Sequence, residues 1–225
     1  MKHKLLSLAL ALCLCLGLAL PAAAASSGYS DIPSGHWSEE SVMRATQLGL
    51  FGGIGDGKFG RGQPITRAAF VTAMVRLFGW KEVTPTKASY TDVTSERWFY
   101  TAVETARANG AFPSTSGTFR PTDNITREEM ASMLIRSLGY ASLAGVVDSY
   151  PSPFTDVTVS QGFITLAYDL GIIGGMGDGK FAPDKTATRE EAAAMLVRLY
   201  DRLYSRSAIP VSYTHLRAHE TDSYL

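Results

Sequence analysis

Apolar positions recur at helical spacing in two kinds of segment that alternate along the chain. In the first kind, Val42, Ala45 and Leu48 correspond to Val103, Ala106 and Asn109 and then to Ile164, Ala167 and Leu170, one apolar face that is interrupted in its second copy. In the second kind, Val71, Met74, Val75 and Phe78 align with Ala131, Leu134, Ile135 and Leu138, and with Ala193, Leu196, Val197 and Tyr200. The pattern predicts three helix-loop-helix units. Gly49, Gly110 and Gly171 end the first helices, and Gly79 and Gly139 end two of the second ones, as a left-handed residue past the last turn would. Copy three has Asp201 at that point, so its second helix is expected to run on to about Ser205.

The units are marked by shared signals. Each opens with aromatic-x-Asp-aliphatic, carried by Asp31, Asp92 and Asp156, and each second helix starts at Thr-Arg. The arginines Arg67, Arg127 and Arg189 stand 60 and 62 residues apart. Repeat boundaries are expected at 29–80, 90–140 and 154–204, with linkers carrying Pro85 and then Pro151 and Pro153. One unit alone would expose its apolar stripe, so an all-α fold is expected in which three units close on one another as a pseudo-threefold bundle, second helices at its centre. A linear solenoid is the alternative.

Residues 1–25 read as a secretory signal peptide: Lys2 and Lys4, an apolar stretch from Leu5 to Leu20, and an Ala-x-Ala site near Ala25. An uncleaved anchor is the lesser alternative, and cleavage would leave no membrane span. Cys13 and Cys15 fall inside that stretch without a small residue before either, so the mature chain is expected to have no disulfide and no lipid attachment. The tail at 209–225 carries no repeat signal and resembles translated adapter sequence, so it is expected to be unstructured and is assigned no function.

Formal charge is zero, with 21 basic and 21 acidic residues, and loss of Lys2 and Lys4 leaves 19 basic. Scattered basic residues and no surplus argue against a nucleic-acid partner. An enzyme is also disfavoured: outside the tail and the signal segment the only imidazole is His36, and the adjacent pairs Glu128-Glu129 and Glu190-Glu191 belong to first helical turns. No cofactor is expected. The Gly55-Asp56-Gly57 and Gly177-Asp178-Gly179 loops lack the Lys-Ser/Thr of a phosphate loop and the acidic ladder of a calcium loop, so no metal is expected either.

Ser38 with Glu39 and Glu40 is expected to give the first helix of repeat one a cap and an acidic first turn, Thr126 with Glu129 and Thr188 with Glu191 make capping boxes, and Thr66 with Ala69 keeps half of one. Capping does not account for the arginine. A cation in the first turn opposes the helix dipole, so its recurrence points to anion binding by a guanidinium at a helix N-terminus, or to an ion pair with the opening Asp of a neighbouring repeat. Placed on an exposed first turn, it would contribute little to folding, and its loss would weaken binding alone. Trp37 and Trp98 stand six residues after Asp31 and Asp92, and either core packing or stacking on a sugar ring suits them, as it does Tyr29 and Tyr90.

Taken together, the aromatic-x-Asp-Val opening, the Trp, the Leu-Gly-Ile-Ile-Gly-Gly stretch with Gly-Asp-Gly-x-Phe, and Ile-Thr-Arg-Glu-Glu resemble the S-layer homology domain over residues 29–204. The resemblance implies a pseudo-trimer of helical units on the cell wall or cell surface, whose inter-repeat grooves bind secondary cell wall polymers non-covalently, often through a pyruvyl ketal on an amino sugar. It implies that Arg67, Arg127 and Arg189 meet the ketal carboxylate, with the opening aspartates, the glycine loops and the tryptophans shaping the pocket. Departures are visible: Ala69 for Glu in copy one, 112–119 without the glycine loop in copy two, Val159 near the Trp position in copy three. One or two competent grooves are therefore expected. The other readings are a self-assembling S-layer or envelope component, and the anchor fragment of a truncated polysaccharide-degrading surface enzyme.

Overall fold

The computed structural model describes residues 28–113 and 117–204; the signal segment, the tail, Ser205 and residues 114–116 lie outside them. Within the described residues the chain forms helices α1 (Glu39–Gln47), α2 (Arg67–Phe78), α3 (Tyr100–Ala108), α4 (Arg127–Ser137), α5 (Ala141–Val147), α6 (Gln161–Asp169) and α7 (Arg189–Tyr204). The aligned apolar positions are the core. Val42, Ala45, Val103, Ala106, Ile164 and Ala167 of the first helices are buried, as are Val71, Met74, Ala131, Leu134, Ile135, Ala193, Leu196 and Val197 of the second.

Helix pairing crosses the repeat boundaries. α2 packs against α3, α4 against α6, and α7 returns to α1, so each first helix lies on the second helix of the preceding repeat and the chain closes into a ring rather than a solenoid. Arg44 of α1 and Asp201 of α7 make an ion pair at 2.8 Å across the closure, with Arg44 also over the Tyr200 ring. Both side chains are about two-fifths exposed, so the pair contributes little energy and mainly marks register.

The axis of the ring is made by the residues just before the second helices, not by those helices themselves. Ile65 N donates to Ala187 O at 3.1 Å, Ile125 N to Ile65 O at 3.0 Å and Ala187 N to Ile125 O at 3.0 Å. These residues are fully buried, and their backbone groups satisfy one another in a closed cycle. One residue from each repeat is needed to complete it.

Local signals act as read from the sequence, with two corrections. Thr126 Oγ1 accepts from Glu129 N while Thr126 N donates to Glu129 Oε2, the same exchange joins Thr188 and Glu191, and Thr66 keeps only the bond from Ala69 N. Gly49, Gly79, Gly110, Gly139 and Gly171 all have positive φ. Ser38, however, does not cap α1 through its side chain: its hydroxyl pairs with His36 Nδ1, and Glu39 Oε2 instead accepts from Gly35 N at 2.7 Å. The second correction is α5, which occupies what reads as linker. Its tight seat on α6 depends on Gly162, where a Cβ would lie 1.8 Å from Ala144 O.

Candidate functional site

The opening aspartates build the loops of their own repeats. Asp31 accepts from the backbone N–H groups of Phe59, Gly60 and Arg61, Asp92 from Phe119 and Arg120, and Asp156 from Phe181 and Ala182, each bond near 2.8 Å. The ion pair expected between these aspartates and the arginines of neighbouring repeats is not formed, because the carboxylates are already taken by backbone donors. Burial raises the Asp31 pKa, but the N–H bonds outweigh it and hold the group below its ordinary value; at Asp156 the bond from Phe181 N leads the same lowering.

The Gly-Asp-Gly triplets are tight turns. Asp56 and Gly57 both have positive φ, Lys58 N closes onto Gly55 O at 2.9 Å, and Asp178, Gly179 and Lys180 repeat this geometry. That is the backbone of a two-residue hairpin turn. The turn then holds the opening segment, since Ser30 N donates to Gly57 O and Thr155 N to Gly179 O. A side chain at Gly175 would meet both Lys180 O and the Phe154 ring at 3.0 Å, so the opening aromatic rests on bare backbone.

Each thrice-repeated arginine reaches into the next repeat. The Nε atoms of Arg67, Arg127 and Arg189 donate to the carbonyls of Phe119, Phe181 and Phe59, each at 2.9 Å. The guanidinium carbons lie 4.9, 4.6 and 5.1 Å from the centroids of those same phenylalanines. Arg67 and Arg127 are only 8% and 6% exposed. The expectation of an exposed first-turn arginine of little structural weight is therefore overturned: the side chain is the clamp between consecutive repeats, and burial lowers its pKa in all three copies.

The helix N-terminus is not an open anion site either. At α4 the N–H groups of Arg127, Glu128 and Glu129 go to Lys185 O, Pro183 O and Thr126 Oγ1. Closing the ring has used the donors that an anion would need.

The three inter-repeat sites differ in what remains. At the first, Arg67 Nη1 pairs with Glu129 Oε1 at 2.8 Å, and Arg120 joins the same oxygen, so the arginine's charge is met by protein. At the third, Arg189 Nη2 donates to Gly52 O at 3.0 Å, and the position of that carboxylate is Ala69. At the second, Arg127 Nη2 donates to Gly174 O at 2.8 Å, and an open cleft of about 350 Å3 adjoins it.

That cleft draws on all three repeats. Arg127 comes from the second, Gly174, Gly175, Met176, Glu191 and Arg198 from the third, and Trp37 from the first, carried there because α1 packs on α7. Trp37 is 57% exposed, which removes it from the core; Trp98, 68% exposed, is also outside the core and sits edge-on to Phe99 rather than in this cleft. Gly177, Asp178 and Gly179 form the turn beyond the cleft, and the lining glycines are the pair just upstream. Arg198 is missed by motif reading. Its signal is the recurrence of arginine nine residues after each first-turn arginine, at Arg76, Arg136 and Arg198.

A cleft with two guanidiniums, an open indole face and exposed glycine backbone is suited to an anionic, ring-shaped ligand. Among the described residues there is no cluster of three or more metal-ligating side chains, and no helix is long and apolar enough to cross a membrane.

The model of one protein family, described as the S-layer homology domain, matches residues 28–71, 89–131 and 153–193. A surface layer protein of Brevibacillus choshinensis is 36% identical over 132 residues, covering 55% of this chain and 12% of that protein. S-layer protein sap of Bacillus anthracis is 27% identical over 190 residues, 83% of this chain and 23% of the relative. An amylopullulanase of Thermoanaerobacterium thermosulfurigenes is 28% identical over 178 residues, 77% of this chain and 10% of the relative. The chain thus spans less than a quarter of the length of these relatives.

Proposed function

The chain belongs to the S-layer homology domain family, and from that membership we propose that it anchors a protein non-covalently to the bacterial cell wall by binding a secondary wall polysaccharide between its repeats. Location at the cell wall or cell surface accords with relatives named as surface-layer and cell-wall proteins. Most of the described chain is this non-catalytic module, although some relatives are named as enzymes.

The observation that carries the reading is the cleft beside Arg127, where cationic donors and the Trp37 indole face one space. A pyruvyl ketal on an amino sugar has the matching chemistry: a carboxylate for a guanidinium and a ring face for an indole. At the second site Arg127 makes no ion pair among the described residues and an open cleft adjoins it, whereas at the first Glu129 pairs with the arginine. What is held at the wall, a surface-layer lattice or a polysaccharide-degrading enzyme, follows from the region joined to the module. Titration of soluble wall polymer into the purified protein should give saturable binding by calorimetry; no heat of binding at millimolar repeat units would contradict the proposal.

A further inference from the structure

Helix α5 is an addition to the threefold plan. It lies between the second and third repeats, whereas residues 81–88, between the first and second, form no helix. One side of it is accounted for, since Ala144 is buried and its backbone seats on Gly162 of α6. The other side faces solvent: Leu143, Val146 and Tyr150 are 46%, 59% and 62% exposed. Their spacing of three and then four residues puts them on one stripe, and the turn runs on past the helix end because Ser149 N and Tyr150 N donate to Val146 O and Val147 O.

Composition sets what this stripe can meet. Residues 137–147 carry no charged side chain, so nothing on the face recruits a charged partner and nothing on it repels an identical face. Val146 stands near the middle of the stripe, so a second copy of the helix turned antiparallel lays Leu143 against Tyr150 and Val146 against Val146. That is the self-matching pattern a two-fold contact requires, and it also sets opposite helix-dipole ends side by side.

Area sets how strong such a contact is. Three half-exposed side chains of this size, with Tyr140 at the rim, offer about 300–400 Å2 per copy. A pair would then bury about 600–800 Å2, below the roughly 1,200 Å2 at which stable complexes begin. Copies therefore stay single in dilute solution and pair where they are crowded on one surface. None of these residues lines the cleft beside Arg127, so pairing leaves that cleft open.

We propose that the outer stripe of α5 is a contact between two copies of this chain, packed antiparallel about Val146, that pairs neighbouring molecules at high local density. This does not rest on the saccharide reading, and it concerns a different face of the ring.

The test is sedimentation equilibrium of the purified protein from about 10 μM to 1 mM, the range in which a contact this small dissociates. The weight-average mass should rise from one copy toward two across that range. Val146→Lys sets like charges against each other at the two-fold axis and should weaken pairing about tenfold or more, with its melting temperature unchanged. Ile54→Lys, at an exposed apolar position on a loop of the first repeat, should pair as wild type does. Mixing Val146→Lys with Val146→Glu should restore the two-copy species, since opposite charges then meet at the axis. A mass of one copy at every concentration would overturn the proposal, whether the stripe is left to solvent, covered by another stretch of the chain or kept for a different protein. Pairing that survives in Val146→Lys, or that the mixture fails to restore, would overturn the antiparallel α5 contact.

Discussion

The Nε of Arg127 donates to the backbone carbonyl of Phe181, 54 residues further along the chain, at 2.9 Å, while its guanidinium lies 4.6 Å from that phenylalanine's ring centroid. This pairing turns a recurrent sequence signal into an inter-repeat joint. A charge-assisted bond to a buried carbonyl and a cation over an aromatic face stabilise the same contact.

Arg127→Ala should therefore destabilise the fold. It removes two hydrogen bonds and leaves two carbonyls without their donor, a loss of about 2–4 kcal/mol. For a domain of this size that lowers the melting temperature by roughly 5–15 °C. Thermal melts followed by far-ultraviolet circular dichroism would show it, and a melting temperature equal to wild type would contradict the clamp.

Gly162→Ala should also destabilise the fold, although it adds only one methyl group. The new Cβ would sit 1.8 Å from Ala144 O, so α5 must shift off α6. Overpacking of this kind costs about 1–3 kcal/mol or more. Gly145→Ala, at a position with open space around it, serves as the control in the same melts.

Trp37→Ala should leave stability near wild type and reduce polymer binding, because the indole is exposed and contributes its face to the cleft. Trp98→Ala should leave binding in that cleft unchanged. Calorimetric titration of both variants separates them, and equal losses would show that the cleft beside Arg127 is not the principal site.

Acid should unfold the protein through the loop carboxylates. Asp31 and Asp156 are held below their ordinary 3.8, and Glu191, where burial pulls upward but the bonds from Lys185 and Thr188 prevail, below its ordinary 4.5. A carboxylate with a depressed folded pKa stabilises the native state above its unfolded pKa, and that contribution is lost as pH falls through the folded value. Melting temperature should be level from neutral pH down to the ordinary carboxylate range and fall steeply below it. A decline already under way between pH 7 and 6 would assign the sensitivity to some other group.

Much of the architecture was legible because its signals are local. Thr126 and Thr188 cap the helices that they precede, and Gly49, Gly110 and Gly171 end helices by their own backbone conformation. The role of Arg127 was not legible, since its acceptors are main-chain carbonyls in the following repeat and a carbonyl leaves no mark in side-chain spelling. Helix α5 escaped notice for a related reason: Ala141–Val147 has no side-chain cap, and its seat is a glycine on another helix. Asp31, Asp92 and Asp156 were readily found as repeat markers, yet their work is to gather backbone N–H groups within each loop. Arg198 could have been found by aligning the second helices beyond their first turn, where arginine recurs at the ninth following position.

Co-sedimentation with purified cell wall tests the central claim most directly, comparing untreated sacculi with sacculi stripped of secondary polymer and with sacculi whose ketals alone have been removed. The protein should pellet with untreated wall, remain in the supernatant with stripped wall, and bind weakly where only the ketals are gone. Equal pelleting with untreated and stripped wall would contradict anchoring through the polymer.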